Sequence, residues 1–268
     1  MTTAVEQRKH PRKNEYSSMD AITLTGHVIV VTGASGGLGR GIALELARRG
    51  AKLALVYRTE RSRAEETVQA LHGEGATAIA CQTKIGELRS VQDMIARVQD
   101  QLGGLTGLVN NAGITRDKAL MMMTEKDWRD VIDTNLTGAF NVCRAAIITL
   151  MKQRRGRIVN ISSVAGLRGI AGQVNYSASK AGMIGLTRAL AREVAGYGIT
   201  VNAVAPGYID AGMVAKMTEK QRNEARARIP VGRFGTSAEI AHTVAFLMSD
   251  AAAYITGQVL VVDGGLSS

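Results

Sequence analysis

Tyr176 and Lys180 stand four residues apart in Tyr176-Ser177-Ala178-Ser179-Lys180, and those two types at that spacing define a chemistry. On a helix, positions i and i+4 share a face, so the phenol and the ammonium point into one space. A cation beside a phenol favours the phenolate and draws its pKa down from about 10. Reaching about 7 takes roughly 4 kcal/mol of differential interaction, at about 1.4 kcal/mol per unit. A phenol tuned that way gives a proton to, or takes one from, a hydroxyl at neutral pH. Taken alone, the spacing is also that of an exposed helical pair, so its meaning depends on the elements that position it.

The first of those elements lies near the other end of the chain. Val28-Ile29-Val30-Val31-Thr32 is a short apolar, β-branched run that reads as a buried strand. Gly33-Ala34-Ser35-Gly36-Gly37-Leu38-Gly39 follows at once, and then a stretch with apolar residues at helical spacing that closes on Gly50. Strand, glycine-rich turn and helix N-terminus together form an anion site. Glycines let the backbone approach a diphosphate, whose charge meets open N–H groups and the positive end of the helix dipole. Glycines also serve tight packing, but in this setting the pattern reads as nucleotide binding.

Apolar runs near 28–32, 52–57, 77–81, 106–110, 157–162, 199–204 and 258–262 read as seven strands. Helical periodicity fills the gaps, most clearly at 36–49, 87–102, 126–153, 175–196 and 236–248. Such alternation predicts an α/β fold: a doubly wound parallel sheet, helices on both faces, right-handed crossovers. Ligands then sit beyond the carboxyl ends of the strands, where strand order reverses. Gly33–Gly39, Asn111, Ser163, Tyr208 and the start of the Tyr176 helix all map to that edge.

Thr32-Gly33-Ala34-Ser35-Gly36-Gly37-Leu38-Gly39, Asn110-Asn111-Ala112-Gly113, Asn135, Ser163, Tyr176 and Lys180 resemble, in order and spacing, the short-chain dehydrogenase/reductase pattern. Pro206-Gly207 after the strand at 199–204 and Asp263-Gly264-Gly265 near the end match too, so the resemblance covers about residues 24–266. Within that family, Gly113-Ile114-Thr115-Arg116-Asp117, Ile229-Pro230-Val231-Gly232-Arg233-Phe234-Gly235 and Asp250-Ala251-Ala252-Ala253-Tyr254-Ile255-Thr256-Gly257 are most similar to 3-oxoacyl-[acyl-carrier-protein] reductases. The resemblance implies a single Rossmann-type catalytic domain over 24–268 and a homotetramer built on the helices at 126–153 and 175–196 and the last strand. It implies a nicotinamide cofactor lying along Gly33, Ser35, Gly36, Gly37, Leu38, Gly39, Asn111, Ala112, Gly113, Pro206, Gly207 and Ile209, with Lys180 on the nicotinamide ribose.

Hydride transfer to a carbonyl leaves negative charge on its oxygen, so the site needs a proton donor and polarising hydrogen bonds there. Tyr176 is the donor, tuned by Lys180. Ser163 hydrogen-bonds the substrate oxygen; its neighbour Ser162 competes, but strand alternation points the two opposite ways and the family's thirteen-residue spacing to Tyr176 selects Ser163. Asn135 resembles the family's helix-kinking Asn, which binds a relay water to Lys180; a polar residue satisfying helix backbone is the alternative, compatible reading.

Cofactor choice depends on the end of the second strand, where an acidic residue would accept ribose hydroxyls. Here Tyr57 holds that position and Arg58 follows. A guanidinium suits a 2′-phosphate, which favours NADPH; the alternative is a solvated Arg in a run with Arg61 and Arg63. Some residues depart from the family. Gly36 replaces a basic residue that many NADP-binding relatives carry, Lys84-Ile85 stands where Asp-Val or Asn-Val is common, and Ala211 replaces a Thr. Met122, in Leu120-Met121-Met122-Met123, stands where the most similar reductases carry Arg; the run either lines an acyl entrance or packs in the core.

The 268 residues carry 33 Lys and Arg against 23 Asp and Glu, a net charge of +10, and the first twenty contribute little of it. A basic body suits an acidic acyl carrier protein as partner, with Lys152, Arg154 and Arg155 as candidates beside the mouth, although Tyr197 replaces a basic docking residue of relatives. Scattered solubilising charge is the plainer reading. Residues 1–23, with Arg8-Lys9-His10-Pro11-Arg12-Lys13, read as a disordered basic tail. Cys81 and Cys143 lack metal-ligand spacing and read as buried thiols, no run is long enough to span a membrane, and the cytoplasm follows. The leading expectation is NADPH-dependent reduction of a carrier-bound 3-oxoacyl thioester, in fatty-acid or polyketide assembly. A reductase of a free small ketone, sugar or quinone is the alternative, and a catalytically idle binding fold the second.

Overall fold

Five consecutive apolar or β-branched residues fit only a strand covered on both faces, and Val28–Thr32 (β1) is buried along its whole length. The computed structural model describes residues 22–268 except 213, 215 and 216, so the proposed tail at 1–23 lies almost wholly outside the described residues. β1 pairs in parallel with Lys52–Tyr57 (β2) on one side and Gly107–Asn110 (β4) on the other. Ala78–Gln82 (β3), Gly156–Ile161 (β5), Ile199–Pro206 (β6) and Val259–Val262 (β7) complete a seven-stranded sheet in the order β3-β2-β1-β4-β5-β6-β7, every pairing parallel. The doubly wound α/β arrangement expected from the alternation is the observed one.

Strand alternation assigns each residue to a layer. Ile29, Val31, Leu53 and Leu55 point into a core closed by Gly37–Arg48 (α1) through Ile42 and Leu46, and by Ser237–Met248 (α9) through Ile240 and Val244. Val28, Val30, Ala54 and Val56 point the other way, onto Leu88–Leu102 (α3), Gly138–Gln153 (α5) and the far end of Val174–Val194 (α7). In α3 the buried residues fall at 91, 94, 95, 98 and 102, a single helical stripe, and Gly103 ends the helix in the left-handed conformation.

Two helices are weakly legible in sequence: Arg61–Gly73 (α2) buries only Ala64, Thr67 and Leu71, and Glu219–Ala227 (α8) only Ala225. The expected helix at 126–153 is interrupted. Glu125–Ile132 (α4) runs into a π-helical turn at Asp133–Thr137 before α5 begins. A short helix, Ala165–Arg168 (α6), follows the residue pair at the end of β5. No helix among the described residues is long and apolar enough to cross a membrane.

The placement of the basic candidates is corrected by this winding. Helices α5 and α7 run back toward the amino edge of the sheet. Arg154 and Arg155 therefore sit beside the first residues of β5, with Arg155 bonded to His27 at 3.0 Å just ahead of β1. Arg154 donates to the Gly196 carbonyl at 2.9 Å and lies over the Tyr197 ring. This is the edge opposite Gly33 and Asn111, so within one chain Lys152, Arg154 and Arg155 do not flank the mouth.

Candidate active site

Strand order reverses between β1 and β4, and at that switch point their carboxyl ends are stitched together. Thr32, the last residue of β1, accepts the backbone N–H groups of Asn111 and Ala112 on its hydroxyl, both at 3.0 Å. Asn111 returns its side-chain amide to the carbonyls of Thr32 and Gly33 at 2.9 and 3.2 Å. Chain crowds in so closely that Gly33, at φ +67°, could not carry a side chain: a Cβ there would sit 2.8 Å from Ala112 Cα. A Cβ at Gly39 would press on the Gly33 carbonyl and lie 2.6 Å from Asn111 Nδ2.

Above this turn, α1 opens with no side-chain cap at Gly36 and no acidic residue in its first turn. Its first N–H groups are free for an anion. Gly37 packs close to Ala211, the residue that replaces a Thr. A diphosphate fits this donor set, which is neutral backbone on a helix N-terminus in a cradle kept open by Gly33 and Gly39, where a Cβ would collide.

At the end of β2, Tyr57 is buried and Arg58 exposed. Its neighbours are engaged, Arg61 with Glu65 at 2.8 Å and Arg63 with Glu60 at 3.6 Å, whereas no carboxylate pairs with Arg58 among the described residues. Lys84, which stands where relatives carry Asp or Asn, is held 3.2 Å from Glu87.

The two serines at the end of β5 divide as alternation predicts. Ser162 is buried and donates to the Lys180 carbonyl at 2.9 Å, which pins α7 to the sheet. Ser163 is half-buried, its hydroxyl accepting the Ala165 N–H at 3.1 Å, and it stands on the side of Tyr176, whose phenol it favours in the ionised form. Gly166 permits the close crossing of α6 and α7, since a Cβ there would lie 2.6 Å from the Lys180 carbonyl carbon. Tyr176 is half-buried on the first turns of α7, and Lys180 one turn on is buried, its Nζ 5.6 Å from the centre of the Tyr176 ring.

The electrostatics differ from the expectation at one point. Lys180 was expected to draw the phenol down; the Tyr176 pKa is instead raised, first by burial, with the Ser163 hydrogen bond lowering it and the Asp117 charge raising it. Burial penalises the phenolate whatever the partner, and it penalises the Lys180 ammonium too, whose pKa is lowered to about 8. The ammonium donates to the Ile161 carbonyl at 2.7 Å. At pH 7 this site therefore holds a protonated phenol beside a protonated lysine.

Asn135 sits in the π-helical turn and is fully buried. Its oxygen accepts the Ile114 N–H at 2.8 Å, and its amide donates to the Ile114 carbonyl and the Ser179 hydroxyl, both at 3.0 Å. The side chain thus clamps the loop after β4 to α7. A Cβ at the intervening Gly113 would lie 3.3 Å from Asn135 Oδ1 and 3.6 Å from Lys180 Nζ, which brings the carboxamide and the ammonium to one spot. Pro206 and Gly207 close the far wall, Gly207 donating to Val262 at 3.0 Å, and beyond them Ile209 bridges to Gly235. Tyr208 meets Phe234 edge-on at 6.3 Å.

The structure thus gathers Gly33–Gly39, Asn111–Gly113, Asn135, Ser163, Tyr176, Lys180 and Pro206–Ile209 at one edge of the sheet. Sequence reasoning gave no role to Thr32, Ser179, Gly166 or Asn175. Asn175 fixes the entry to α7 by donating to the Arg116 and Asp127 carbonyls at 3.1 Å. Thr32 alone carried a sequence signal, a hydroxyl closing an apolar strand.

A family model described as "Enoyl-(Acyl carrier protein) reductase" matches residues 33–267. Among curated proteins, the "3-oxoacyl-[acyl-carrier-protein] reductase FabG" of Staphylococcus aureus is 49% identical over 88% of this chain and 96% of its own length. The protein of the same name from Escherichia coli is 46% identical over 90% of this chain and 97% of its own. Among solved structures, one titled a putative gluconate dehydrogenase from Agrobacterium tumefaciens superposes with a TM-score of 0.89 at 37% identity, covering 92% of this chain and 98% of that one.

Proposed function

The chain belongs to the short-chain dehydrogenase/reductase family, and on that premise we propose that it is an NADPH-dependent ketoreductase that reduces a 3-oxoacyl thioester carried by an acyl carrier protein to the 3-hydroxyacyl thioester, in fatty-acid or polyketide assembly. The observation that carries this reading is the Ser163–Tyr176–Lys180 constellation beside a glycine cradle that admits a diphosphate. The names of relatives at 46–49% identity supply the substrate class.

The cofactor, when bound, supplies the hydride. The cradle of Gly33, Ser35, Gly36, Gly37, Leu38 and Gly39 would hold its diphosphate, with Asn111, Ala112, Gly113, Pro206, Gly207 and Ile209 along its length. Arg58, paired with no carboxylate among the described residues, would bind the 2′-phosphate bidentately. Ser163 and Tyr176 both donate hydrogen bonds to the substrate carbonyl oxygen and so polarise it. As negative charge develops on that oxygen, Tyr176 gives up its proton to it. A phenol whose pKa burial has raised is the protonated form that reduction needs, and the Lys180 ammonium stabilises the phenolate left behind. Asn135 holds the Gly113–Ile114 loop against Lys180 and orients the ammonium. Ser163 and Tyr176 act on a carbonyl oxygen, which favours 3-oxoacyl reduction over reduction of a carbon–carbon double bond.

The acyl carrier protein enters through the relatives' names and the net charge of +10. A homotetramer is supported by exposed Phe140 and Ile148 on α5 and by the open edge of β7, and a reducing cytoplasm by two buried free cysteines. The structural neighbour's title supports one further reading, a dehydrogenase of a free sugar acid. The test is oxidation of NADPH, then NADH, with acetoacetyl-carrier protein, a small acetoacetyl thioester and a free keto-sugar acid. Fast NADPH oxidation that prefers the carrier-bound substrate is expected. Turnover of the sugar acid alone would overturn the proposal.

A further inference from the structure

Among the described residues fourteen large apolar side chains are exposed, and six of them fall in two short segments: Leu120, Met121 and Met122, and Leu167, Ile170 and Val174. The first three form a 3-10 turn between the loop after β4 and α4, with Met121 88% exposed. The other three lie on the stretch that joins Ser163 to Tyr176. A core-packing role for the methionine run is thereby overturned.

The two segments meet. Lys118, just before the turn, donates its backbone N–H to Gly172 at 2.8 Å. Asp117 accepts from the Gln173 side chain at 2.7 Å, and on the other side of the turn Asp127 accepts from Asn175 at 3.1 Å. Both ends of the turn are thus tied to residues 172–175, the approach to Tyr176. The only charge within either segment, Arg168, donates to the Leu266 carbonyl. The result is an apolar rim on the walls that carry Ser163 and Tyr176, with Arg168 as its one charge and with two flexible, unbranched side chains, Met121 and Met122, that adapt to a chain of variable shape.

The geometry points to one occupant: we infer that this rim binds the hydrocarbon chain of the acyl substrate and makes the enzyme selective for medium or long 3-oxoacyl groups over acetoacetyl. A hydrocarbon is what a predominantly apolar surface beside a carbonyl-polarising serine and tyrosine receives, since the chain leaves the same carbon skeleton that the site reduces. The inference rests on the proposed ketoreductase activity and deepens it.

The test compares kcat/KM for 3-oxobutyryl and 3-oxodecanoyl thioesters of a short amide thiol in the wild type and in Met121→Ser/Met122→Ser. Each methylene fully removed from water favours binding about fourfold, so even shallow burial of six predicts a C10/C4 ratio on the order of tenfold or more. The double variant should lower that ratio at least threefold. Tyr254→Ser, at a fully exposed aromatic outside the rim, should leave the ratio as in the wild type. Calorimetric binding of the saturated butyryl and decanoyl thioesters reads the rim without turnover. Equal affinity for the two, or a ratio that the double variant leaves intact, overturns the inference even if acetoacetyl groups are reduced. Absent turnover with chain-length-selective binding would instead overturn the ketoreductase and keep the rim.

Discussion

Lys180 is buried, and its ammonium pays a desolvation cost that the protein bears at every pH where the group is charged. A pKa lowered from 10.5 to about 8 corresponds to about 3 kcal/mol. Lys180→Met removes that cost while filling similar volume, and it loses the hydrogen bond to the Ile161 carbonyl, worth about 1 kcal/mol. The variant should therefore be more stable than the wild type at pH 7 by about 2 kcal/mol, a rise in Tm of roughly 4–8 °C, while turnover is lost. The sign with pH follows from linkage. Between about 8 and 10.5 the unfolded chain binds a proton at Lys180 that the folded protein has released, so wild-type stability rises through that window. The slope is about 1.4 kcal/mol per unit, so the advantage of the variant should vanish near pH ~9.5. Raised pKa values at Cys81 and Cys143, away from Lys180, lower stability at alkaline pH in both proteins and cancel in the difference. Guanidinium unfolding of both at fixed protein concentration from pH 7 to 10 is the assay. A variant less stable at pH 7, or an advantage independent of pH, would refute the reasoning.

Arg58→Asp should weaken NADPH use by about 10–100-fold, the loss of one charge-assisted contact, and spare NADH; an unchanged ratio of the two by steady-state kinetics would mean that another residue reads the phosphate. Gly39→Ala places a Cβ against the Gly33 carbonyl and Asn111 and should abolish cofactor binding in a fluorescence titration while circular dichroism stays native. Asn135→Ala strips three hydrogen bonds from a buried clamp and should cost about 2–4 kcal/mol of stability together with most of the turnover; wild-type stability in denaturant unfolding would dismiss the clamp.

How much of this was legible in the sequence can be argued residue by residue. β1 was legible because five buried residues leave a strand no other reading, and α3 because its stripe repeats at helical spacing. α2 and α8 were faint because each buries so little that almost no apolar period remains. The break at Asp133–Thr137 leaves the periodicity on either side intact, so it was expected only through the resemblance at Asn135. Ser163 over Ser162 followed from alternation and the family spacing. The pKa of Tyr176 went the other way because burial is tertiary: one helical turn places the ammonium near the phenol, but only the packed fold determines how much water both lose. The basic cluster was read beside the mouth, whereas the end of α5 lies at the amino edge of a parallel sheet. Two glycine motifs near the end proved to be a packing pair: a Cβ on Gly264 or Gly265 would meet Ile229 or Pro230.

The central claim is that Tyr176 delivers the proton at a site where the cofactor is held by other residues. Its most direct measurement is single-turnover NADPH oxidation by Tyr176→Phe with a 3-oxoacyl-carrier substrate, alongside cofactor binding to the same variant by fluorescence. The account predicts that oxidation falls by at least about 100-fold while NADPH affinity stays within a few-fold of the wild type. Robust oxidation by the phenylalanine variant would contradict it and remove Tyr176 as the acid.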